Sequence, residues 1–301
     1  TYKNILTMKI QESELIINPD GSIYHVHLRP EELADDVILV GDPARVPVVS
    51  GHFDTVELRR ENREIHSHTG TYKGRRITVM STGMGPDNID IVINELDALK
   101  NIDLTAREVK DVRTSMNIVR IGTSGSLQKD IPVDSFVLSR KGIGFDGVLH
   151  FYDSASVRRR DIEDAFVAHS RWNPLAARPY VVECGEELFA KLYSDRTVEG
   201  FTATAVGFYG PQGRGLRLPL ANPEANEMLE TFSYNGLRLT NYEMETSAIY
   251  GLSKMLGHQA CSANCIVANR AAGEFSKNPY ESVEKLIIYV LDRMAATKTA
   301  S

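Results

Sequence analysis

Short apolar runs that end in glycine alternate along this 301-residue chain with segments of helical periodicity. DDVILVGDP (35–43) and MNIVRIGTSGS (116–126) are apolar runs closed by glycine turns, as is typical of buried strands. PDNIDIVINELDALK (86–100) and SVEKLIIYVLDRM (282–294) repeat apolar residues at helical spacing. Strands that alternate with helices predict an α/β protein with a mainly parallel sheet covered by helices.

Other segments fit this plan less regularly. Residues 56–84 have two strand-like halves hinged at TYKGR, which predicts a hairpin. TATAVGFYG (202–210) and LRLTNYEME (237–245) are predicted strands, and a helix is expected after the second. Residues 145–180 are charged and show no clear pattern. Because there is no repeat or linker, we expect one domain over residues 1–301, with an N-terminal extension at 1–22.

Composition excludes several classes of function. The net charge of −6 argues against a nucleic-acid partner, so any anionic substrate must be attracted by local arginines. Three scattered cysteines do not make a disulfide framework. No signal peptide is evident and no apolar stretch is long enough to cross a membrane, so we expect a cytoplasmic protein without a membrane partner.

Polar loops follow several of the predicted strands, where ligands bind in open α/β sheets. GDPAR and RIGTSG place Gly41, Arg45, Arg120 and Thr123 at such ends. Glycine turns expose backbone N–H groups and guanidinium groups pair with phosphate, so these four residues predict an oxyanion site. The sequence completes neither a Walker loop nor GxGxxG, which argues against a Rossmann-type dehydrogenase.

NYEME (241–245) puts two carboxylates between a predicted strand and a predicted helix. They could stabilise the helix dipole or bind sugar hydroxyls, and the residues alone leave both interpretations open. GFYGPQGR (207–214) combines turn-forming residues with an aromatic pair, an amide and a guanidinium. A plain surface turn does not need that combination, so the loop suggests contact with a flat polar ligand.

The order of GDPARV, NREIHSHTGTYKG, STGMG, RIGTSGSL, GFYGPQGR, NYEMET and IVANR resembles the phosphorylase family of uridine phosphorylases and purine nucleoside phosphorylases. The resemblance covers residues 23–295, while 100–115 and 145–180 look like insertions. It implies a three-layer α/β/α fold with a central twisted mixed sheet. It also implies reversible phosphorolysis of uridine to uracil and ribose 1-phosphate, as in pyrimidine salvage.

The resemblance assigns the loop at 207–214 to uracil. Phe208 would pack on the base while Gln212 and Arg214 read its edge. A glutamine amide can meet an N3–H and its neighbouring carbonyl, and arginine suits the other carbonyl. Cytosine would leave buried groups unpaired and be rejected.

Further roles follow from the same resemblance. The catalytic set would be Arg120, Arg214, Gln212 and Glu245; phosphate ligands Gly41, Arg45, Arg63, Arg120 and Thr123; ribose ligands His25, Met244 and Glu245; and base-pocket residues Ser124, Gly125, Phe208, Gln212, Arg214 and Glu243. Tyr24, His25 and Arg63 would come from the neighbouring subunit of a homodimer. Inorganic phosphate would be a co-substrate, and no metal or other cofactor is expected.

Three other functions remain open at this point. A purine nucleoside phosphorylase or a nucleosidase could use the same fold, and so could a nucleoside-binding protein without activity. Purine-specific relatives place an aspartate near the end of the strand that here reads CIVANR, where this chain has Asn269. Three candidate phosphate arginines exceed what nucleoside binding alone needs, which argues against a silent binding protein.

Overall fold

The computed structural model describes residues 9–296. The helices are α1 (Arg45–Ser50), α2 (Pro86–Asn101), α3 (Arg160–Ser170), α4 (Glu186–Leu192), α5 (Ala225–Thr231), α6 (Thr246–Leu256) and α7 (Pro279–Ala295). The strands are β1 (Asp36–Val40), β2 (Thr55–Asn62), β3 (Ile65–Tyr72), β4 (Arg75–Ser81), β5 (Ile102–Asp103), β6 (Glu108–Val109), β7 (Asn117–Ser126), β8 (Phe136–Gly144), β9 (Tyr180–Glu183), β10 (Thr197–Thr204), β11 (Ser233–Tyr234), β12 (Leu237–Arg238), β13 (Asn241–Glu243), β14 (Gln259–Asn269) and β15 (Glu274–Phe275).

The central sheet is mixed. Its strand order is β15-β14-β8-β10-β13-β7-β1-β4-β3-β2, with β9 paired to β8. Parallel pairs such as β1–β7 and β7–β14 stand beside antiparallel pairs such as β7–β13 and β8–β14. The α/β class and the mixed sheet are therefore confirmed, and the expectation of a mainly parallel sheet is wrong. Alternating strands and helices reveal the elements but not the direction in which each strand enters the sheet.

Five strands close a ring inside this sheet. β14 pairs with both β7 and β8, while β10 and β13 complete the circuit between them. β7 borders β1, β13 and β14, so residues near its carboxyl end face several chain segments at once. This closure gathers the ends of β7, β13 and β14 in one place.

Several predicted elements are confirmed with changed limits. The strand and helix predicted at 35–43 and 86–100 correspond to β1 and α2. GTSG does not close its strand, because β7 continues to Ser126. The predicted hairpin is a three-stranded unit: it turns at Lys73–Gly74 as expected and also at Arg63, and all three residues have positive φ. Glycine tolerates that conformation readily, whereas Arg63 carries no sequence signal of a turn.

The two suggested insertions have defined structures. Residues 102–109 form the β5–β6 hairpin. Residues 145–180 contain two short 3₁₀ turns and α3, and lead into β9. α3 buries Ile162 and Phe166 in a small core together with Phe201 and Phe232. The helix is hard to recognise in the sequence because only two of its four buried positions, Ile162 and Phe166, are apolar, whereas Glu163 and Ser170 are polar.

Helices cover both sides of the sheet. α2 packs against α6, while α7 packs on β14 and β7 and contacts α4 and α1. The expected C-terminal helix thus corresponds to α7, whose apolar face is in the main core. The proposed N-terminal extension is described only from residue 9, and residues 1–8 lie outside the described part. The single-domain assignment stays a prediction.

Adjacent isoleucines of α7 provide a matched test of this packing. Ile287 is completely buried and Ile288 is 38% exposed. We expect Ile287→Ala to lower the free energy of unfolding by about 2–5 kcal/mol, because it leaves a cavity in the core. Ile288→Ala should cost less than about 1 kcal/mol. Urea denaturation measures both values, and equal losses would contradict this placement of α7.

Candidate active site

Arg120 lies at the centre of the candidate site. Its side chain folds over Gly122, two residues further along β7, and a methyl group at Gly122 would overlap the guanidinium. The same methyl group would lie 2.7 Å from Oδ1 of Asn264 on β14. Only glycine leaves room for this arrangement, so the glycine of RIGTSG makes space for a buried arginine.

Carboxylates surround the Arg120 guanidinium. Its Nη2 donates to Oε2 of Glu245, its Nε lies 3.7 Å from Oε2 of Glu243, and its Nη1 donates to Asn264 Oδ1 at 3.1 Å. Burial acts to lower the pKa of Arg120, but the charges of Glu245 and then Glu243 outweigh it, and the pKa is raised. Arg120 is therefore held as a cation below the protein surface.

Arg45 is the second cation of this site. It begins α1, directly after the loop that contains Gly41, and its Nη1 donates to the carbonyl oxygen of Ile121 at 3.3 Å. Burial lowers the pKa of Arg45, and the nearby charge of Arg120 lowers it further. Two neighbouring guanidinium groups repel each other, and a bound oxyanion would relieve that repulsion. Thr123 lies half-buried on the same strand as Arg120.

The carboxylates of NYEME also build local structure. Glu243 Oε2 accepts the backbone N–H groups of Glu245 and Thr246 at 2.9 and 3.0 Å, at the beginning of α6. Its Oε1 accepts the hydroxyl of Thr204 at 2.7 Å. Burial raises the pKa of Glu243, with Arg120 opposing and Glu245 adding to the rise. Both Glu243 oxygens thus accept hydrogen bonds from the protein itself, and the predicted place of Glu243 in the base pocket stays a prediction.

Glu245 links the cluster to α2. Its Oε1 accepts the backbone N–H of Gly85 at 2.9 Å, directly before α2, and its Oε2 accepts from Arg120. The carboxylate is buried, and Met244 beside it is half-buried. Each carboxylate oxygen has two lone pairs, so Glu245 retains acceptor capacity for a sugar hydroxyl.

The residues predicted for the base pocket continue from this cluster. Ser124 Oγ accepts from Nδ2 of Asn241 at 2.9 Å, and Gly125 lies opposite Tyr242 in the β7–β13 ladder. Tyr242 donates its hydroxyl to the carbonyl oxygen of Pro211 at 2.9 Å. This hydrogen bond attaches the glycine-rich loop to the strand that carries Glu243. The loop and the arginine cluster are therefore both joined to β13, the loop through Tyr242 and the cluster through Glu243.

Gln212 and Arg214 are paired within the loop. Gln212 is buried, whereas Arg214 is half-buried, and Arg214 Nη1 donates to Gln212 Oε1 at 2.7 Å. The Arg214 guanidinium lies 3.7 Å from the centre of the Phe208 ring, which is 51% exposed. Burial lowers the pKa of Arg214, and the charge of Arg270 adds to this effect. The structure thus brings the three predicted base readers together.

Arg270 and Asn226 are loop supports that the sequence did not identify. Arg270 Nη1 donates to the carbonyl oxygen of Gln212 at 2.5 Å. With its amide oriented to satisfy both groups, Asn226 of α5 donates to the same carbonyl and accepts from Arg270. IVANR marks Arg270 within a motif, but its partner lies 58 positions away, so only the fold reveals the contact.

A cavity of about 800 Å³ opens beside the loop. Tyr209, Pro211 and Arg214 of the loop line the cavity. Trp172, from the predicted insertion at 145–180, lines it as well. Arg45 and Arg120 do not line it. Of the three proposed base readers, Arg214 lines the cavity whereas Phe208 and Gln212 do not, and most of the wall is apolar.

Tyr24, His25 and Arg63 form a separate cluster near the turn between β2 and β3. Arg63 lies 5.5 Å from the centre of the Tyr24 ring and donates to its hydroxyl at 3.2 Å. The Tyr24 and His25 rings meet edge to face at 4.8 Å. Within residues 9–296, no hydrogen bond or ion pair joins these three side chains to Arg45 or Arg120.

The whole chain from β1 to the end of α7 matches one family of proteins. Residues 35–296 fit the model of the phosphorylase superfamily. The chain belongs to this superfamily. That finding confirms the family resemblance based on the motifs from GDPARV to IVANR.

Individual relatives extend the match. The uridine phosphorylase of Thermococcus kodakarensis is 30% identical over 264 residues, covering 86% of this chain and 81% of that protein. A solved nucleoside phosphorylase of Trypanosoma brucei, described as showing uridine phosphorylase activity, is 33% identical with a TM-score of 0.84, covering 94% and 100% of the two chains. The DeoD-type purine nucleoside phosphorylase of Oceanobacillus iheyensis is 27% identical over 251 residues, covering 83% of this chain and 88% of that protein.

The ligand-binding roles of the predicted residues stay predictions. The structure places Arg45, Arg120, Glu243 and Glu245 in one buried cluster and Phe208, Gln212 and Arg214 in one loop. Tyr24, His25 and Arg63 contact one another in a cluster of their own, and their assignment to another subunit's site stays a prediction.

Gly122→Ala tests whether the Arg120 arrangement creates the oxyanion site. We expect the added methyl group to displace the guanidinium and to raise the Kd for inorganic phosphate about tenfold or more. Calorimetric titration with phosphate measures the effect. Gly210→Ala is the control, because no heavy atom lies within 4 Å of a Cβ at that position. Unchanged phosphate affinity in Gly122→Ala would remove Arg120 from the binding site.

Proposed function

We propose that this protein catalyses the reversible phosphorolysis of uridine to uracil and ribose 1-phosphate, a reaction of pyrimidine salvage. The observation that carries the proposal is the attachment of the Gln212–Arg214 loop, through Tyr242, to the strand that supports the arginine cluster. Membership of the phosphorylase superfamily and the two relatives with uridine phosphorylase names support it.

The reaction needs an anion on one side of the sugar and a stabilised leaving group on the other. A phosphate oxygen forms the bond to C1′ as the bond between C1′ and N1 breaks, and the electron pair leaves with uracil, whose N1 then takes up the proton that the phosphate loses. Cleavage of this kind passes through a state in which the sugar resembles an oxocarbenium ion. Arg45 and Arg120 would hold phosphate near that cation, while Arg214 and Gln212 would stabilise negative charge on the uracil carbonyls.

Binding both reactants together would supply much of the rate. Glu245 would accept a ribose hydroxyl through its remaining lone pairs. No electron transfer occurs in this reaction, and we expect phosphate to act as co-substrate without a further cofactor.

Two features favour a pyrimidine over a purine. The Gln212–Arg214 pair offers one amide and one guanidinium, which suits the carbonyl–N3–H–carbonyl edge of uracil. Purine-specific relatives have an acid near the position of Asn269. The Asn269 side chain is buried, and its Nδ2 donates to the carbonyl oxygens of Gln128 and Ile131 at 3.0 and 2.9 Å. Asn269 thus offers no proton donor to a purine N7. A purine nucleoside phosphorylase is the second candidate, favoured by the Oceanobacillus relative.

We further propose a homodimer in which Tyr24, His25 and Arg63 complete the partner's site. The exposed Arg63 guanidinium is held against Tyr24 without a carboxylate partner among residues 9–296. A cation held at the surface in this way suits a phosphate bound by another subunit.

The cellular location is also a proposal. No helix of the described chain is long and apolar enough to cross a bilayer. Cys184, Cys261 and Cys265 are buried free thiols, and burial raises the pKa of Cys184 and of Cys265 to about 12. Thiols kept in this state fit the reducing cytoplasm.

Arg214→Ala tests the assignment of the base edge. We expect kcat/KM for uridine to fall by about 100-fold or more, because negative charge on departing uracil loses its guanidinium partner. Uracil release is measured with and without phosphate, and release without phosphate would indicate a nucleosidase. Arg113→Ala, an exposed arginine that does not line the cavity beside the loop, is the control. Equal activity of both variants would contradict the role of Arg214, and faster turnover of inosine by the unaltered protein would favour the purine alternative.

Mixing two variants tests the shared site. Arg45→Ala should inactivate the site of the subunit that carries the substitution. Arg63→Ala should inactivate the site of the other subunit of the dimer. In a mixed dimer one site then keeps both arginines, so random assortment should restore about a quarter of wild-type activity. Activity is assayed after the two variants have been unfolded and refolded together. No gain over the separate variants would place Arg63 in its own subunit's site.

A further inference from the structure

Glu95 of α2 receives three hydrogen bonds from one short segment. Its Oε1 lies 2.5 Å from Nδ1 of His25, and its Oε2 accepts the backbone N–H groups of His25 and Val26 at 3.1 and 2.8 Å. The side chain of Glu95 is only 13% exposed. The carboxylate is therefore occupied by this segment and has little contact with solvent.

The segment around His25 is held from its other side as well. Asn62 Nδ2 donates to the carbonyl oxygens of Tyr24 and His25 at 3.1 and 2.9 Å. The Tyr24 ring packs edge to face on the imidazole at 4.8 Å. These contacts fix the backbone and the ring, so the direction of the imidazole is set before any ligand binds.

The contact with Glu95 also determines where a neutral imidazole carries its proton. An ionised carboxylate can only accept hydrogen bonds, so Nδ1 must donate. Nε2 is then an acceptor, and it has no hydrogen-bond partner among residues 9–296. A partly exposed acceptor on a rigid ring suits a donor such as a hydroxyl group.

We propose that Glu95 is a positioning residue that keeps His25 in the Nδ1–H form and presents Nε2 to the 5′-hydroxyl of the nucleoside. This inference rests on the proposed function, in which His25 serves the ribose in the partner's site. Glu95 itself does not touch the substrate and acts through the imidazole.

Glu95→Gln reverses the polarity of this contact. The amide oxygen must face the two backbone N–H groups, because its NH₂ group would oppose them. The NH₂ group then faces Nδ1, which can only accept, and the proton of the ring moves to Nε2. Asp90→Asn is the matched control: it makes the same acid-to-amide change on α2, where Asp90 contacts Tyr152 and Asn94 rather than His25.

Nitrogen NMR of protein labelled at its histidines measures the tautomer directly. Spectra are recorded at pH 9, where histidine side chains are generally neutral, and His25→Ala identifies the signal. We expect Nδ1–H in the unaltered protein and in Asp90→Asn, and Nε2–H in Glu95→Gln. Detection of Nε2–H in the unaltered protein would overturn the proposal without any variant. The proposal can therefore be tested even if the Glu95→Gln protein does not fold.

Kinetics then separate positioning from general damage. Glu95→Gln should raise KM for uridine about fivefold with little change in kcat, because the 5′-hydroxyl proton loses its acceptor. KM for 5′-deoxyuridine, which lacks that hydroxyl, should change less than about twofold. An equal rise for both substrates would overturn the proposal. If the unaltered protein does not convert uridine, the proposed function fails, whereas the tautomer measurement still reports on Glu95.

Discussion

The buried ion cluster around Arg120 is the interaction on which the rest of the site depends. A guanidinium taken out of water is costly unless charged partners and hydrogen bonds compensate it, and removing one partner leaves an unpaired buried charge. Here Glu245, Glu243 and Asn264 provide that compensation. They belong to segments far apart in the chain, so the cluster fixes β7, β13, α6 and β14 relative to one another.

The same cluster explains why the site requires unusual residues. Arg120 folds back over Gly122, and no larger residue leaves that space. Glu245 reaches across to the backbone of Gly85 and thereby attaches the beginning of α2. Glu243 is used at the beginning of α6, so the two carboxylates of NYEME are not equivalent. The macrodipole interpretation suits Glu243, and the sugar interpretation suits Glu245.

The glycine-rich loop shows how a flexible sequence is held in one position. Tyr242, Arg270 and Asn226 bind backbone carbonyls of Pro211 and Gln212, while Arg214 donates to Gln212 Oε1 and to the carbonyl oxygen of Phe208. Exposed Phe208 and the nearby cavity give the loop open space on one side. Because the groups that hold the loop bind its backbone carbonyls, the amide of Gln212 keeps the polar edge that the proposed base recognition requires.

The sequence by itself determined the α/β class, the positions of β1, α2, β7 and α7, and the polar loops at strand ends. Those features depend on local periodicity and on turn-forming residues, which a short window of sequence contains. Only the tertiary structure decided which neighbouring strands run antiparallel, that Arg63 makes a turn, and that Arg270 and Glu95 support residues far from them in the chain. Strand direction and long-range hydrogen bonds depend on which segments meet in space, and that information is not present in the pattern of any one segment.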